Sequence, residues 1–491
     1  MSHILWIDCT NGANIAEFYE KVKTNCQSNV VISESQTGVF VMCKDKTEHK
    51  KVQKWAKNNK YDHVLHEHCA KTFQAHHCIA KGDKKERKDT ASGGSGIITA
   101  GDASVPSKEG LPLVQRVPPS NLPSVMAKHY SYPTQVDPDK PPKIAIISLG
   151  GSIIRSDLNY VYEHFVPNND VPLPSRFKIV DLGGEETDLS SSNSAAYEEN
   201  ALDVQIVLSM CPASLITLYI APNSFNGFLY AINQAISDRN KIISISWGAP
   251  ETVFGSRYLN IYNRMFATAL SKGIAVCVAS GDTGSSDGTN RATVDFPASS
   301  PNVIACGGTS LVDSSNEKAW SWHSRHGWGG GGGVSSHFKA SASQRKMASL
   351  YPNKSNTPGL KLPKGLKFTN QRSVPDIAMN ADPLSGWTIY FNGTLYVNQF
   401  GGTSCVSPAF SAFLGLINWD DYSGVIDWLY TAPNRGFKDI TSGTNDNIPN
   451  TKGVYSCRSG YDQCTGRGSI RGNILGAVPK VPPVMSPAAA L

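Results

Sequence analysis

Apolar positions change rhythm about a quarter of the way along this chain. From Ile4 to about residue 80, short apolar runs alternate with amphipathic stretches. They predict strand Ile4–Cys9, helix Ile15–Cys26, strands Val30–Ser35 and Val39–Lys44, helix Thr47–Lys57 and strand His63–His68. The order βαββαβ is that of a small ferredoxin-like α+β domain, assigned to residues 1–80. Residues 81–116 then turn charged (Lys-Gly-Asp-Lys-Lys-Glu-Arg-Lys) and afterwards Gly/Ser-rich, a composition that buries no core and reads as a linker open to proteolysis.

From residue 117 to 475 the apolar runs become continuous. Lys143–Leu149, Leu215–Ile220, Ile242–Trp247, Ile274–Ala279 and Val303–Cys306 alternate with helices predicted over Asn193–Met210, Phe225–Ser237 and Leu259–Ser271. Continuous apolar strands separated by helices imply an α/β domain whose parallel sheet carries helices on both faces. Functional residues gather at the carboxyl ends of such strands, here Ser148, Trp247 and Ser280–Gly284. Residues 476–491 form a Pro-rich tail.

Composition adds little to this pattern. Of 491 residues, 40% are hydrophobic and 18% charged, and the net charge of +6 is too small for the length to imply a nucleic-acid partner. No run is long enough to span a bilayer, and Asp8 interrupts the first apolar run before it reaches signal-peptide length. Eleven cysteines leave at least one thiol unpaired. Cys277 and Cys306 read as packed hydrophobes, and Cys457 with Cys464 as the best local disulfide candidate. His63, His66, His68, Cys69, His76, His77 and Cys78 form a cluster open to three readings: a polar strand edge, a pH-sensitive face or a zinc site of no standard spacing.

The candidate chemistry centres on Gly401-Gly402-Thr403-Ser404, where a tight turn opens the apolar helical run Ser411–Asn418 and Pro408 fits a first helical turn. A serine there has backbone N–H groups beside it for a developing oxyanion. The usual histidine base is not evident: His129, His164, His323, His326 and His337 all lack a His-Gly-Thr setting. Glu199 and Asp203 share one face of a helix at i and i+4, which costs repulsion and, if the face is buried, desolvation; rotation of the helix to solvate both is the other reading. Asp282 sits in an Asp-Thr-Gly-Ser-Ser segment that resembles the aspartic-peptidase signature without a second copy, and it also reads as a turn residue.

Taken together, Glu199-Asn200-Ala201-Leu202-Asp203, Ser244-Ile245-Ser246-Trp247-Gly248, Ser280-Gly281-Asp282-Thr283-Gly284, Asp295-Phe296-Pro297-Ala298-Ser299-Ser300-Pro301, Gly331-Gly332-Gly333-Val334-Ser335, Val374-Pro375-Asp376-Ile377-Ala378 and Gly401-Gly402-Thr403-Ser404 resemble the sedolisin family of serine-carboxyl peptidases. The motifs run in family order from about Val117 to Gly468. The resemblance implies a subtilisin-like fold and an acid-active endopeptidase or tripeptidyl peptidase acting on peptides or proteins. Ser404 would be the nucleophile, Glu199 the base, Asp203 its orienting partner and Asp282 the oxyanion-hole acid. Trp247 and Asp295 match positions that line substrate pockets. Ser148 stands where some relatives carry a glutamate behind the base.

Phe437–Gly443 and Arg458–Gly466 resemble the family's calcium loop. One Ca²⁺ is implied, held by the side chains of Asp439 and Asp462 and the carbonyls of Ile440, Arg458 and Gly460, an all-oxygen set suited to a hard cation. Arg458 replaces the usual glycine. The first domain becomes an inhibitory prodomain, shorter than those usual in the family, cut off within residues 81–116. An acidic compartment or extracellular setting is expected.

Overall fold

The computed structural model describes residues 3–8, 15–25, 29–35, 37–43, 45–58, 64–65, 74–75 and 78–79 of the first part of the chain. It then describes 121–479 except 135–138, 168–171, 187–188, 190–193, 314–315, 322–326, 352–369 and 448–454. The expected linker and the last residues of the tail lie outside these.

The small domain consists of β1 (His3–Asp8), α1 (Ile15–Asn25), β2 (Asn29–Ile32), β3 (Gly38–Cys43), α2 (Lys46–Asn58) and β4 (Val64–Leu65). Its sheet has the order β2-β3-β1-β4 with antiparallel neighbours, the ferredoxin-like order that the pattern predicts. Alternation decides the two faces of β1: Leu5 and Ile7 point into the domain's own core with Val22, Val39, Val41 and Val52. Ile4 and Trp6 point the other way, into a cluster that belongs to the large domain. Two short strands follow, β5 (Gln74–Ala75) and β6 (Cys78–Ile79).

The large domain opens with α3 (Pro123–His129), β7 (Lys143–Leu149), α4 (Arg155–His164), β8 (Phe177–Asp181), α5 (Ser194–Met210), β9 (Leu215–Ala221) and α6 (Phe225–Ser237). It continues through β10 (Ile242–Ile245), β11 (Trp247–Pro250), α7 (Ser256–Ser271), β12 (Ala275–Ala279), β13 (Asp295–Phe296), β14 (Ile304–Leu311) and β15 (Glu317–Ala319). The last elements used below are β16 (Gly333–Lys339), α8 (Ala342–Leu350), β17 (Gln371–Val374), β18 (Ile377–Asn380), β19 (Trp387–Phe391), β20 (Thr394–Gly401) and α9 (Val406–Ile417). The central sheet runs β15-β14-β12-β10-β7-β9-β8, with β18 also paired to β14; all pairings are parallel except that of β15.

Two apolar cores lie on the faces of this sheet. Ile144, Ile146, Leu218 and Cys277 pack with α5 and α9 on one side; Ala145, Ile147, Tyr219 and Val278 pack with α6 and α7 on the other. Cys277 and Cys306 are buried thiols in the first of these, as packed hydrophobes should be. The structure departs from the predicted strand Ile242–Trp247 at Ser246, where the chain leaves β10 and starts β11 toward a different sheet. An apolar run cannot reveal that exit, because both strands are buried. Among the described residues no helix is long and apolar enough to cross a membrane.

A buried ion pair ties β17 to the turn that leads into β18. The Arg372 guanidinium spans both oxygens of Asp376, donating from Nη1 to Oδ1 and, at 2.6 Å, from Nη2 to Oδ2. Tyr430 Oη also donates to Asp376, and the amide of Ala305 donates to Asp376 Oδ2 at 2.6 Å. Burial works against the guanidinium's charge, and the facing carboxylate more than offsets it. Replacing Arg372 with Met leaves a buried carboxylate without its cation and should cost about 3–5 kcal/mol. Urea unfolding checks this as a lower midpoint at unchanged slope.

Candidate active site

Strand β20 delivers Gly401 and Gly402 to the turn. Gly402 has φ 100°, a left-handed value that a side chain disfavours, and it redirects the chain into one 3₁₀ turn, Thr403–Cys405, that leads directly into α9. Helix α9 is apolar almost throughout and buried along its length, and Ser407 pins its first turn to the sheet. Ser407 Oγ lies 2.9 Å from Ser244 Oγ and donates to the Cys277 carbonyl at 3.1 Å. Ser404 is thus fixed over the ends of β10 and β12, fully buried, with its hydroxyl donating to the Ser246 carbonyl at 3.5 Å.

Helix α5 supplies the paired acids. Glu199 and Asp203 are 0% and 1% exposed, which decides between the two readings of this helix: the acids face the interior. The helix is buried on nearly every side because the sheet, α3, α4, α9 and β19 surround it. Ser246 connects Asp203 to Ser404, since its Oγ donates to Asp203 Oδ1 at 2.8 Å while its carbonyl receives the Ser404 hydroxyl. Helix α5 also packs against the Thr403–Cys405 turn. The Cys405 thiol, next to Ser404, is held well above its ordinary pKa by burial and then by the negative charges of Glu199, Asp282 and Asp203. Asp282 is hydrogen-bonded to this turn through Thr403, and the helix that carries Glu199 and Asp203 packs against it.

Asp282 arrives on the loop after β12. Its Oδ1 accepts from the Thr403 amide at 2.8 Å and from Thr403 Oγ1 at 2.9 Å. The loop is held from behind by the glycine run. Gly329 donates to the Asp282 carbonyl at 2.9 Å, Gly331 to the Gly281 carbonyl at 2.7 Å, and Ser280 Oγ to the Gly331 carbonyl at 2.9 Å. A Cβ on Gly331 would lie 2.0 Å from the Ser280 carbonyl oxygen, so only a bare backbone fits there.

Trp247 lies on β11 and Asp295 on the neighbouring β13, where Asp295 stands opposite Pro250. Both are buried, and a Cβ on Gly248 would fall 2.0 Å from Asp295 Oδ1, so this carboxylate lies against bare backbone beside Trp247. Asp287 and Asp295 both crowd the space that a Cβ on Gly281 would take, with Asp287 Oδ1 at 2.9 Å. Sequence reading passes over Asp287, which looks like any turn residue, and over Thr403 and Ser246, whose roles depend on contacts between distant segments. Ser148, at the end of β7, donates to the Gly150 carbonyl at 3.0 Å and is engaged with its own loop.

The two segments of the implied calcium loop come together in the C-terminal part of the chain. Gly460 donates its amide to Asp439 Oδ2 at 2.8 Å, which joins the two segments. Asp462 Oδ2 accepts from the Arg458 amide at 2.8 Å, and Oδ1 from the amides of Cys464 and Thr465, each at 2.9 Å. Burial pushes the Asp462 carboxyl up to about 6 despite these donors. The Ile440 side chain is buried with Ala319, Cys457 and Cys464. Cys457 and Cys464 face each other as two separate thiols, not as a formed bridge. The side chains of the His63–Cys78 cluster lie outside the described residues.

Comparison with known proteins identifies the family. The subtilase family profile matches residues 194–446. Kumamolisin of Bacillus sp. (strain MN-32) is 35% identical over 363 residues, 72% of this chain and 62% of that protein. Sedolisin of Pseudomonas sp. (strain 101) is 30% identical over 375 residues, 69% and 59% respectively. Human tripeptidyl-peptidase 1 is 28% identical over 294 residues, 55% and 50%. Among solved structures, Pseudomonas sedolisin, a serine-carboxyl proteinase complexed with two molecules of pseudo-iodotyrostatin, superposes with TM-score 0.56 at 27% identity, covering 73% of this chain and 97% of that one. The chain belongs to the subtilase family, in its sedolisin branch. It spans about 60% of the length of the first two relatives.

The packing of the glycine run is directly testable. Gly331→Ala should destabilise the protein by about 1–3 kcal/mol through overpacking. Amide exchange at Gly281 and Gly331 should accelerate; protection equal to wild type would mean that the Asp282 loop does not rest on this backbone contact.

Proposed function

We propose that this chain is an acid-active serine-carboxyl peptidase, cutting peptide or protein substrates as an endopeptidase or a tripeptidyl peptidase. The observation that carries the reading is the hydrogen bonding of Asp282 to the turn that holds Ser404, against which the helix that carries Glu199 and Asp203 packs. In this mechanism the Ser404 hydroxyl attacks the scissile carbonyl carbon and its proton passes to Glu199. Asp203, fixed by Ser246, orients Glu199. The proton then moves to the leaving nitrogen, the C–N bond breaks, and water repeats the sequence on the acyl-enzyme. Thr403 donates twice to Asp282 Oδ1, so Oδ1 acts as acceptor and Oδ2 is the oxygen suited to carry a proton toward the oxyanion. A donor of this kind works only while protonated, and a carboxylate base works only while ionised, which together place activity on the acid side of neutrality.

An aspartic peptidase built on Asp282 is the rival reading, and its position beside Thr403 rather than a second aspartate disfavours it. A non-catalytic, peptide-binding relative is the second rival. Ser404→Ala and Glu199→Gln should each lower kcat at least about a thousandfold on a peptide substrate at acid pH, and pepstatin should leave the wild type active. Loss with pepstatin favours the aspartic mechanism, and no hydrolysis at any pH favours the binding protein. Asp282→Ala, which removes the donor, should lower kcat about 10²–10³-fold, whereas Asp282→Asn, whose amide donates at every pH, should lose less and shift the alkaline limb of the profile upward. An alkaline limb identical to that of wild type would sink the role given to Asp282.

The C-terminal loop suits one Ca²⁺. Asp462 is a buried carboxylate that forms no ion pair among the described residues, and Asp439 is tied to the same loop. With the carbonyls of Ile440, Arg458 and Gly460 the donors are all oxygen. A bound ion would supply charge that steadies the loop. Calcium at a hundred times its Kd should stabilise the protein by about 2.7 kcal/mol, read as a rise in Tm that chelation reverses and that Asp462→Asn abolishes. The N-terminal domain is proposed as the site's own inhibitor. Its outer face docks on α6 through Ile4, Trp6 and Phe40, the Glu34 amide donates to Asn233 Oδ1 at 2.7 Å, and Glu34 pairs with Lys272.

A further inference from the structure

A cavity outside the candidate active site opens where the end of α3, strand β15 and the last part of the chain meet. Two further short strands line it: β21 (Phe437–Lys438) and β22 (Ser469–Ile470) pair antiparallel, with Lys438 opposite Ser469. Its volume is about 330 Å³, and its polar lining includes His129, Ser131, Glu317, Lys438, Arg471 and Asn473. None of these six is a candidate catalytic residue or an implied calcium ligand. Glu317, the buried member, forms the floor. Its Oε1 accepts from Tyr130 Oη and Thr309 Oγ1, each at 2.9 Å, and its Oε2 from Ser469 Oγ at 2.5 Å. Lys438 Nζ lies 3.3 Å from the same Oε2. Four donors thus share the two oxygens of Glu317, which leaves it little to offer a ligand that is itself a donor.

The mouth has the opposite character. Ser131, Arg471 and Asn473 are exposed there, and the side chains of these three and of His129 form no hydrogen bond among the described residues. Lys438 and Arg471 bring positive charge on two groups against the single carboxylate of Glu317, and His129 adds to it in acid. Idle donors, a cationic surplus and a carboxylate already supplied with donors together complement an anion rich in oxygen. Arg471 contributes the planar fork that suits phosphoryl, sulfuryl or carboxylate oxygens. The wall is set before any ligand arrives: Ser131 holds a left-handed φ of 54°, and the Gly472 amide donates to the Tyr130 carbonyl at 2.8 Å. A Cβ on Gly472 would lie 2.8 Å from the Ser131 carbonyl oxygen, so bare backbone seats Arg471 and Asn473 closely against that turn.

We propose that this cavity binds a small doubly charged oxyanion, a phosphate or sulfate group or a compact dicarboxylate, held by Arg471, His129 and Asn473 over the Glu317–Lys438 pair. The site is separate from the peptidase reading and does not depend on it. Burial holds the His129 imidazole below its ordinary pKa, with Glu317 opposing and Lys438 adding to the effect. An anion beside the ring favours its charged form and moves that pKa back up.

Isothermal titration of the full-length chain with sulfate, at about pH 6 and constant ionic strength, should show one saturable site. Arg471→Gln should weaken binding about tenfold or more, and because the Arg471 side chain is exposed and makes no hydrogen bond, this variant should keep the wild-type Tm in the absence of sulfate. Arg435→Gln, which changes another exposed arginine, should bind as wild type does. Proton NMR of the wild-type chain gives a readout that no substitution disturbs: saturating sulfate should raise the His129 pKa. Inorganic phosphate and succinate, titrated in the same way, distinguish the two sources. Binding of phosphate without succinate assigns the site to a phosphoryl or sulfuryl group, tighter binding of succinate assigns it to a dicarboxylate, and binding of all three alike supports the shared chemistry. No saturable binding of any of the three, equal affinity in Arg471→Gln and wild type, or a His129 pKa unmoved by saturating sulfate overturns the proposal.

Discussion

Burying two carboxylates side by side on one helix is the constraint from which the site follows. Glu199 and Asp203 are out of water, one turn apart on α5, and each would be costly there without compensating dipoles. The fold answers by bringing Ser246 to Asp203 at the point where β10 gives way to β11, and by setting the start of α9 against the same face. That strand break then does two further jobs. Its carbonyl receives the Ser404 hydroxyl, and its onward strand β11 pairs with β5. Conserving the apolar layer around α5 is thus inseparable from holding the acids in place, because the helix has no solvent face toward which to turn them.

Much of this was readable in the chain, for identifiable reasons. Continuous apolar runs such as Lys143–Leu149 and Leu215–Ala221 occur where both faces of a strand are covered, so the parallel sheet announced itself. The small domain's βαββαβ order survived intact because each of its strands has one inner face. Ser404 stood out because a glycine pair followed by an apolar helix has few uses. Whether Glu199 faced inward was not readable, since α5 is apolar on several sides and the helical period fits more than one rotation. Strands of two residues, such as β5 and β6, carry no periodic signal at all. Thr403, Ser246 and Asp287 act through partners more than a hundred residues away or across a glycine, and nothing local marks them.

The small and large domains share an apolar cluster, so β1 is a strand with two cores. Leu5 and Ile7 serve its own domain while Ile4 and Trp6 serve the neighbour, and the pleat alone keeps the two sets apart. A slip of one residue in β1 would exchange them. The register against β3, His3 with Cys43 through Asp8 with Gly38, therefore fixes both the fold of the small domain and its seat on α6.

Cys405 lies immediately beside Ser404 and is wholly buried, with burial and three nearby carboxylates holding its thiol well above the ordinary range. A thiol so placed stays protonated and is a poor nucleophile. In the proposed mechanism, an electrophile small enough to enter therefore meets a serine hydroxyl paired with Glu199 and, beside it, a protonated thiol. Reagents aimed at cysteine would pass over the residue next to Ser404, and resistance to them would not distinguish a chain that has this cysteine from one that lacks it.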